Sequence, residues 1–130
     1  MMYNKRVESC FFTPHHVGVL DTQQPRTVHH REGELRFGNL IDFYLLCDAK
    51  GTILKARFKA YGNPFLLAAS EWLCQQLEGS PIAEHPCIDY ERLINEFAIP
   101  ETHHSAALQI EEGYQKLVLM MQRKLNGENK

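Results

Sequence analysis

Apolar residues along the chain recur with two different periods, and the switch between them marks out the elements. From Tyr3 the positions Tyr3, Val7, Cys10 and Phe11 follow helical spacing until Pro14 interrupts them. His15 to Gly33 is polar and turn-rich, with room for a short strand at Thr27 to His30. Alternation then takes over. Ile41, Phe43, Leu45 and Cys47 share one face of a run from Leu40 to Ala49. Leu54, Ala56, Phe58 and Ala60 share one face of a run from Ile53 to Tyr61, with Lys55, Arg57 and Lys59 on the other. Asp48-Ala49-Lys50-Gly51 between the runs is turn chemistry, so the pair predicts an antiparallel hairpin with one wet face.

Helical spacing returns after the hairpin. Asn63-Pro64 supplies an N-cap and a first-turn proline for a helix whose inner stripe is Phe65, Ala69, Trp72, Leu73 and Leu77, with Gly79 at its stop. A second helix is predicted from Asp89 through Leu93, Ile94 and Phe97 to Pro100. A third starts near Thr102 and carries Ala107, Ile110, Tyr114, Leu117, Val118, Met121 and Leu125, ending at Asn126-Gly127. Strands first and helices after predict the α+β class. The expected architecture is a small antiparallel sheet of about three strands covered by helices, with an N-terminal helix and a long C-terminal one.

The 130 residues read as one domain, 1–130, without repeat, linker or low-complexity segment. A net charge of −2 offers no electrostatic attraction to nucleic acid or an anionic membrane, and no run has the apolar length of a membrane span. The charged start, with Lys5, Arg6 and Glu8, does not read as a secretory signal. The four cysteines at 10, 47, 74 and 87 form no C-x-x-C pair and read as reduced thiols of a cytoplasmic protein. Cys10, Cys47 and Cys74 fall on apolar stripes and are expected in the core. Cys87, in His85-Pro86-Cys87, is expected on an exposed loop.

The segment Ala56-Arg57-Phe58-Lys59-Ala60-Tyr61-Gly62 resembles the strand leading into the second cluster cysteine of the iron–sulfur cluster scaffold family, of the IscU or NifU N-terminal type. The family pattern there is Ala-Arg-Phe-Lys-x-Tyr/Phe-Gly-Cys-Gly. Upstream, Tyr3, Val7, Pro14, Val17, Gly18 and Asp21 match its N-terminal helix and Pro-x-x-Val-Gly turn, and Gly38 matches the glycine of its Cys-Gly-Asp motif. Downstream, Gly79 closes a helix, and Ile99-Pro100 falls where the family has Leu-Pro-Pro-Val-Lys. The match spans Tyr3 to about Leu117 without a gap.

The resemblance implies three cysteine ligands, an aspartate beside the first and a histidine before the third. Here those positions are Phe37, Asn39, Asn63, Ser105 and Ala106, so every expected ligand is replaced. Soft thiolates suit iron and sulfide, whereas phenyl and methyl groups coordinate nothing and amide or hydroxyl oxygens suit hard ions. The replacements read as structural: Asn63-Pro64 as a better helix start, Phe37 as apolar bulk that closes the site. No cluster, zinc or other cofactor is therefore expected. Where the family has its chaperone-recognition motif, Ile99-Pro100-Glu101-Thr102-His103 keeps only the first proline, so chaperone handover does not carry over.

Six of the seven histidines come in pairs, His15-His16, His29-His30 and His103-His104. Adjacent side chains point apart, so a pair seldom gives two ligands to one ion. His103 and His104 remain the candidates for the alternative reading, a metal-binding protein with replacement ligands. No nucleophile–base pair or phosphate loop suggests an enzyme. The favoured expectation is a non-catalytic, partner-binding relative of the scaffold, its partner a cysteine desulfurase or another iron–sulfur assembly protein.

Overall fold

The computed structural model describes residues 3–128. In chain order it has helix α1 (Lys5–Phe12), strands β1 (Thr27–Glu34), β2 (Asn39–Cys47) and β3 (Ile53–Tyr61), then helices α2 (Pro64–Leu77), α3 (Tyr90–Phe97) and α4 (His104–Glu128). The sheet is antiparallel in the order β1-β2-β3. This is the expected α+β arrangement, with an N-terminal helix and a long C-terminal one.

The caps form where the sequence places them. The Asn4 side chain accepts from Val7 N at 2.9 Å, Asn63 from Leu66 N at 3.0 Å and Asp89 from Arg92 N at 2.8 Å, each satisfying an amide that a helix start leaves open. In the β2–β3 turn the Asp48 carboxylate accepts from the amides of Lys50 and Thr52, which holds it below the usual carboxylate range.

Several boundaries differ from expectation. β1 is twice the expected length, because Arg31 to Glu34 continue the pairing with Asn39 to Asp42. β2 ends at Cys47 rather than Ala49, and α4 continues through Asn126-Gly127 to Glu128. The inward face of β3 begins with Ile53 and not Leu54. Leu46 pairs with Lys55 but Cys47 with Ile53, so Leu54 is the extra residue of a β-bulge. It turns outward and is 49% exposed, while Ile53 is fully buried.

The core lies between the inner sheet face and the helices. Ile41, Phe43, Leu45, Cys47, Ala56 and Phe58 meet Phe65, Leu66, Leu73, Ile110 and Leu117, all buried. Met121 packs with them, whereas Met120 is partly exposed. Gly113 lets α4 approach the sheet, since a Cβ there would come within 3.3 Å of the Phe43 ring.

α2 is buried on more than its apolar stripe, because the segment from His15 to Gly18 lies across it and beside β3. Phe58 N donates to His16 O at 3.0 Å and Gly18 N to Phe58 O at 2.9 Å, a short parallel bridge along the open edge of β3. Beneath it, Glu71 is fully buried yet completely partnered. Its Oε1 accepts from the amides of His15 and His16 at 2.9 and 2.7 Å, and its Oε2 meets His16 Nδ1 at 2.7 Å and Gln75 Nε2 at 2.8 Å. The other ring nitrogen of His16 lies 3.0 Å from Glu78 Oε2, which also binds Arg57 at 2.6 Å. Arg57 is thus held in this network, unlike the exposed Lys55 and Lys59 of the same row.

Candidate functional site

The β1–β2 connection is a tight turn. Glu34 pairs with Asn39 across it, Leu35–Phe37 make one 3-10 turn, and Gly38 takes the left-handed conformation at φ +89° that a side chain would strain. Phe37 stands at the tip. It is 73% exposed, with the Arg36 guanidinium 4.8 Å from its ring centroid. The expected packing role of Phe37 is therefore wrong: the turn carries the ring out of the protein and the site is not closed by it.

Asn39 opens β2 and reaches toward the β3–α2 junction. A Cβ on Gly62 would lie 2.5 Å from Asn39 Oδ1, so the glycine is what permits this approach. Asn63 follows directly and is engaged as the cap of α2. Ser105 and Ala106 sit on the first turn of α4, where Ala106 faces the core at 0% exposure and Ser105 faces solvent. Phe37, Asn39 and Ser105 come together along a groove of about 300 Å³, completed by Leu108, Gln109 and Glu112. Asn63 adjoins it through Gly62, and Ala106 belongs to the core and does not line it.

Leu108, Gln109 and Glu112 were not singled out from sequence. They follow Ser105 at steps of three and four along a helix, the spacing that places residues on one face, so the signal was present.

The donors at this site are amide and hydroxyl oxygens with one carboxylate. None is a thiolate or imidazole, and such a set does not fit the iron–sulfur chemistry of soft ligands. The paired histidines are engaged separately. His104 Nε2 hydrogen-bonds Ile99 O at 3.0 Å, and the His103 ring lies 5.5 Å from that of Phe65, beside a cleft with Tyr3 and Pro100. His29 binds Asp42 at 2.7 Å and His30 binds Glu32 at 2.9 Å. Among the described residues, no group of three or more His, Cys, Asp or Glu side chains is arranged to hold a metal ion.

Cys10, Cys47 and Cys74 are buried and Cys87 is exposed, as the apolar pattern predicts. Burial pushes all three core thiols up, Cys47 to about 11, so they are held as neutral thiols. Among the described residues, no helix is long and apolar enough to cross a membrane.

Solved structures share the fold at low sequence identity. A nitrogen-fixing NifU-like protein (N-terminal) from Brucella abortus superposes with a TM-score of 0.68 at 12% identity, covering 93% of this chain and 94% of that one. A putative iron–sulfur cluster assembly scaffold protein for the SUF system from Fervidobacterium islandicum gives 0.69 at 14% identity, covering 91% and 97%. By sequence, the chain is 27% identical over 100 residues to the iron–sulfur cluster assembly scaffold protein IscU of Azotobacter vinelandii, covering 77% of this chain and 78% of the relative. It is 22% identical over 130 residues to iron–sulfur cluster assembly protein 3 of Arabidopsis thaliana, covering 98% and 76%. The family model described as the NifU-like N terminal domain matches residues 2–126, nearly the whole chain. With that match, the chain belongs to the NifU N-terminal family of iron–sulfur cluster assembly scaffolds.

Proposed function

We propose that the chain is a single-domain scaffold relative that holds no conventional cluster and works by binding another component of iron–sulfur assembly. The observation that carries this reading is the donor set. Phe37, Asn39, Asn63, Ser105 and Ala106 stand at the positions matching the family's ligands and offer no thiolate or imidazole, while three of the four cysteines are core residues.

The preserved fold and the exposed turn at Phe37 support a docking role. The named relatives are cluster assembly proteins, and a cysteine desulfurase is the partner this reading selects. The chain performs no turnover, acts in the cytoplasm and does not pass a cluster to the dedicated chaperone. It modulates or competes with a true scaffold.

Calorimetry against a cysteine desulfurase from the same source tests it, together with iron, zinc and acid-labile sulfide analysis after anaerobic purification. The expected result is a saturable complex and a chain without stoichiometric metal or sulfide. Absence of association at tens of micromolar, or a stoichiometric cluster, overturns the reading.

A further inference from the structure

The His16 ring is held between two carboxylates. Its Nδ1 lies 2.7 Å from Glu71 Oε2 and its Nε2 lies 3.0 Å from Glu78 Oε2. The His16 side chain is 16% exposed and that of Glu71 is fully buried. A neutral imidazole has one ring hydrogen, so at one of these contacts a bare lone pair would face a carboxylate oxygen. The imidazolium presents a hydrogen on both sides.

Charge counting points the same way. Among the described residues, the charged and titratable side chains around this bridge are Glu71 and Cys74 from α2, Glu78 just after it, Arg57 from β3 and Cys10 from α1. Burial, and after it the Glu71 charge, pushes both thiols up, so they stay neutral. Arg57 pairs with Glu78 at 2.6 Å. Glu71 then has His16 as its cation, since its other contacts, two backbone amides and Gln75, are neutral donors. A buried carboxylate stripped of its cation is costly. Two carboxylates and two cations therefore close the set only while the ring is charged.

We propose that residues 15–18 form a strap locked in place by one proton on His16, closed while the ring is charged and released when the proton leaves. The strap is attached through this bridge and through the His15 and His16 amides on Glu71. Its own backbone covers Phe58 N and O on the edge of β3. The sign follows from linkage: the closed strap holds the proton more tightly than the open one, so the lock is present at low pH and lost as pH rises. Asp42 has the opposite sign and acts at acid pH, which keeps the two effects apart. Release frees a donor and an acceptor on a strand edge, the groups that pair with another strand.

The test is native-state hydrogen exchange of the whole chain, labelled with nitrogen-15, from about pH 6 to about pH 9, upward from the range where histidine changes charge. With the intrinsic rate divided out, protection of the Phe58 and Gly18 amides is expected to fall by up to about tenfold per pH unit, the slope for one released proton. The Phe43 and Leu45 amides of β2 are expected to keep theirs. Nitrogen-15 shifts of the His16 ring are expected to show a hydrogen on both nitrogens while the strap is closed. Glu78→Gln removes the more accessible carboxylate and leaves Glu71 in place, so the fold is kept and opening is expected at lower pH. His16→Gln is expected to leave the strap poorly protected with no pH slope. A bare ring nitrogen in the closed state, protection that ignores pH, a fall shared equally by β2, or a slope that survives in His16→Gln overturns the proposal.

Discussion

Two polar regions of this molecule treat hydrogen bonding in opposite ways. Around Glu71 a fully buried carboxylate finds a partner for each oxygen, drawn from the His15–His16 backbone, the His16 ring and Gln75. Around Gln109 the amide oxygen has none, and Asn39, Ser105 and Glu112 beside it are equally unengaged among the described residues. The first region joins three parts of the chain, namely the N-terminal segment, β3 and α2. The second lies where the family resemblance puts its ligands. Satisfaction is local to the Glu71 network and does not extend over all of α2, since the neighbouring Ser70 Oγ is buried without a partner among the described residues, as Gln109 Oε1 is.

The sharpest way to break this contrast is to remove Glu71. Glu71→Ala strips a buried carboxylate from two backbone amides and His16, and an expected cost of about 3–5 kcal/mol follows from severing one side of a buried charged network. Urea denaturation measures it. A loss below about 1 kcal/mol would mean the network contributes no more than an exposed pair.

Asp42 is the intermediate case, on the outer face of the sheet. Its residue is buried, but its partner Arg31 is largely exposed, with Nε 2.9 Å away. Burial alone raises this carboxyl, yet hydrogen bonds from Arg31 and His29 outweigh it and hold the group below its ordinary value. A carboxyl lowered by folding stabilises fully above its unfolded pKa and loses that contribution as pH falls through the folded one. Asp42→Asn is therefore expected to cost about 1–3 kcal/mol at neutral pH. Its gap to the native protein should narrow as pH drops below about 4. A gap unchanged across an acid titration would show that the carboxylate charge is not the cause.

Phe37→Ala should have the smallest effect. The ring is 73% exposed, so the melting curve is expected to stay within about 0.5 kcal/mol of native. A loss typical of a core aromatic would mean that the turn packs in solution and the groove is not open.

The hairpin, the Asn63-Pro64 helix start and the buried stripe of α4 were legible in the sequence because each depends on neighbours a few residues away. What escaped depends on distant parts of the chain. The bulge at Leu54 arises from the pairing of β3 with Cys47, and alternation alone could not show it. Glu71 sits on α2 at a position that reads as an ordinary solvated carboxylate, until the segment from His15 covers it. Phe37 reads as a core residue by composition, and only the left-handed Gly38 and the 3-10 turn before it send the ring outward. At the site, the replaced positions Phe37, Asn39 and Ser105 were found from the resemblance. Their α4 companions needed a helix face drawn through Ser105.

The bridge between His16 and Phe58 also has a consequence in time. During synthesis residue 16 emerges well before Glu71 and Glu78, the two carboxylates that hold it, exist. At ordinary translation speed the delay is on the order of several seconds. Until α2 and the turn after it exist, the segment from His15 to Gly18 lacks the carboxylates that hold it against the edge of β3, so it cannot take its place before residue 78 has been made.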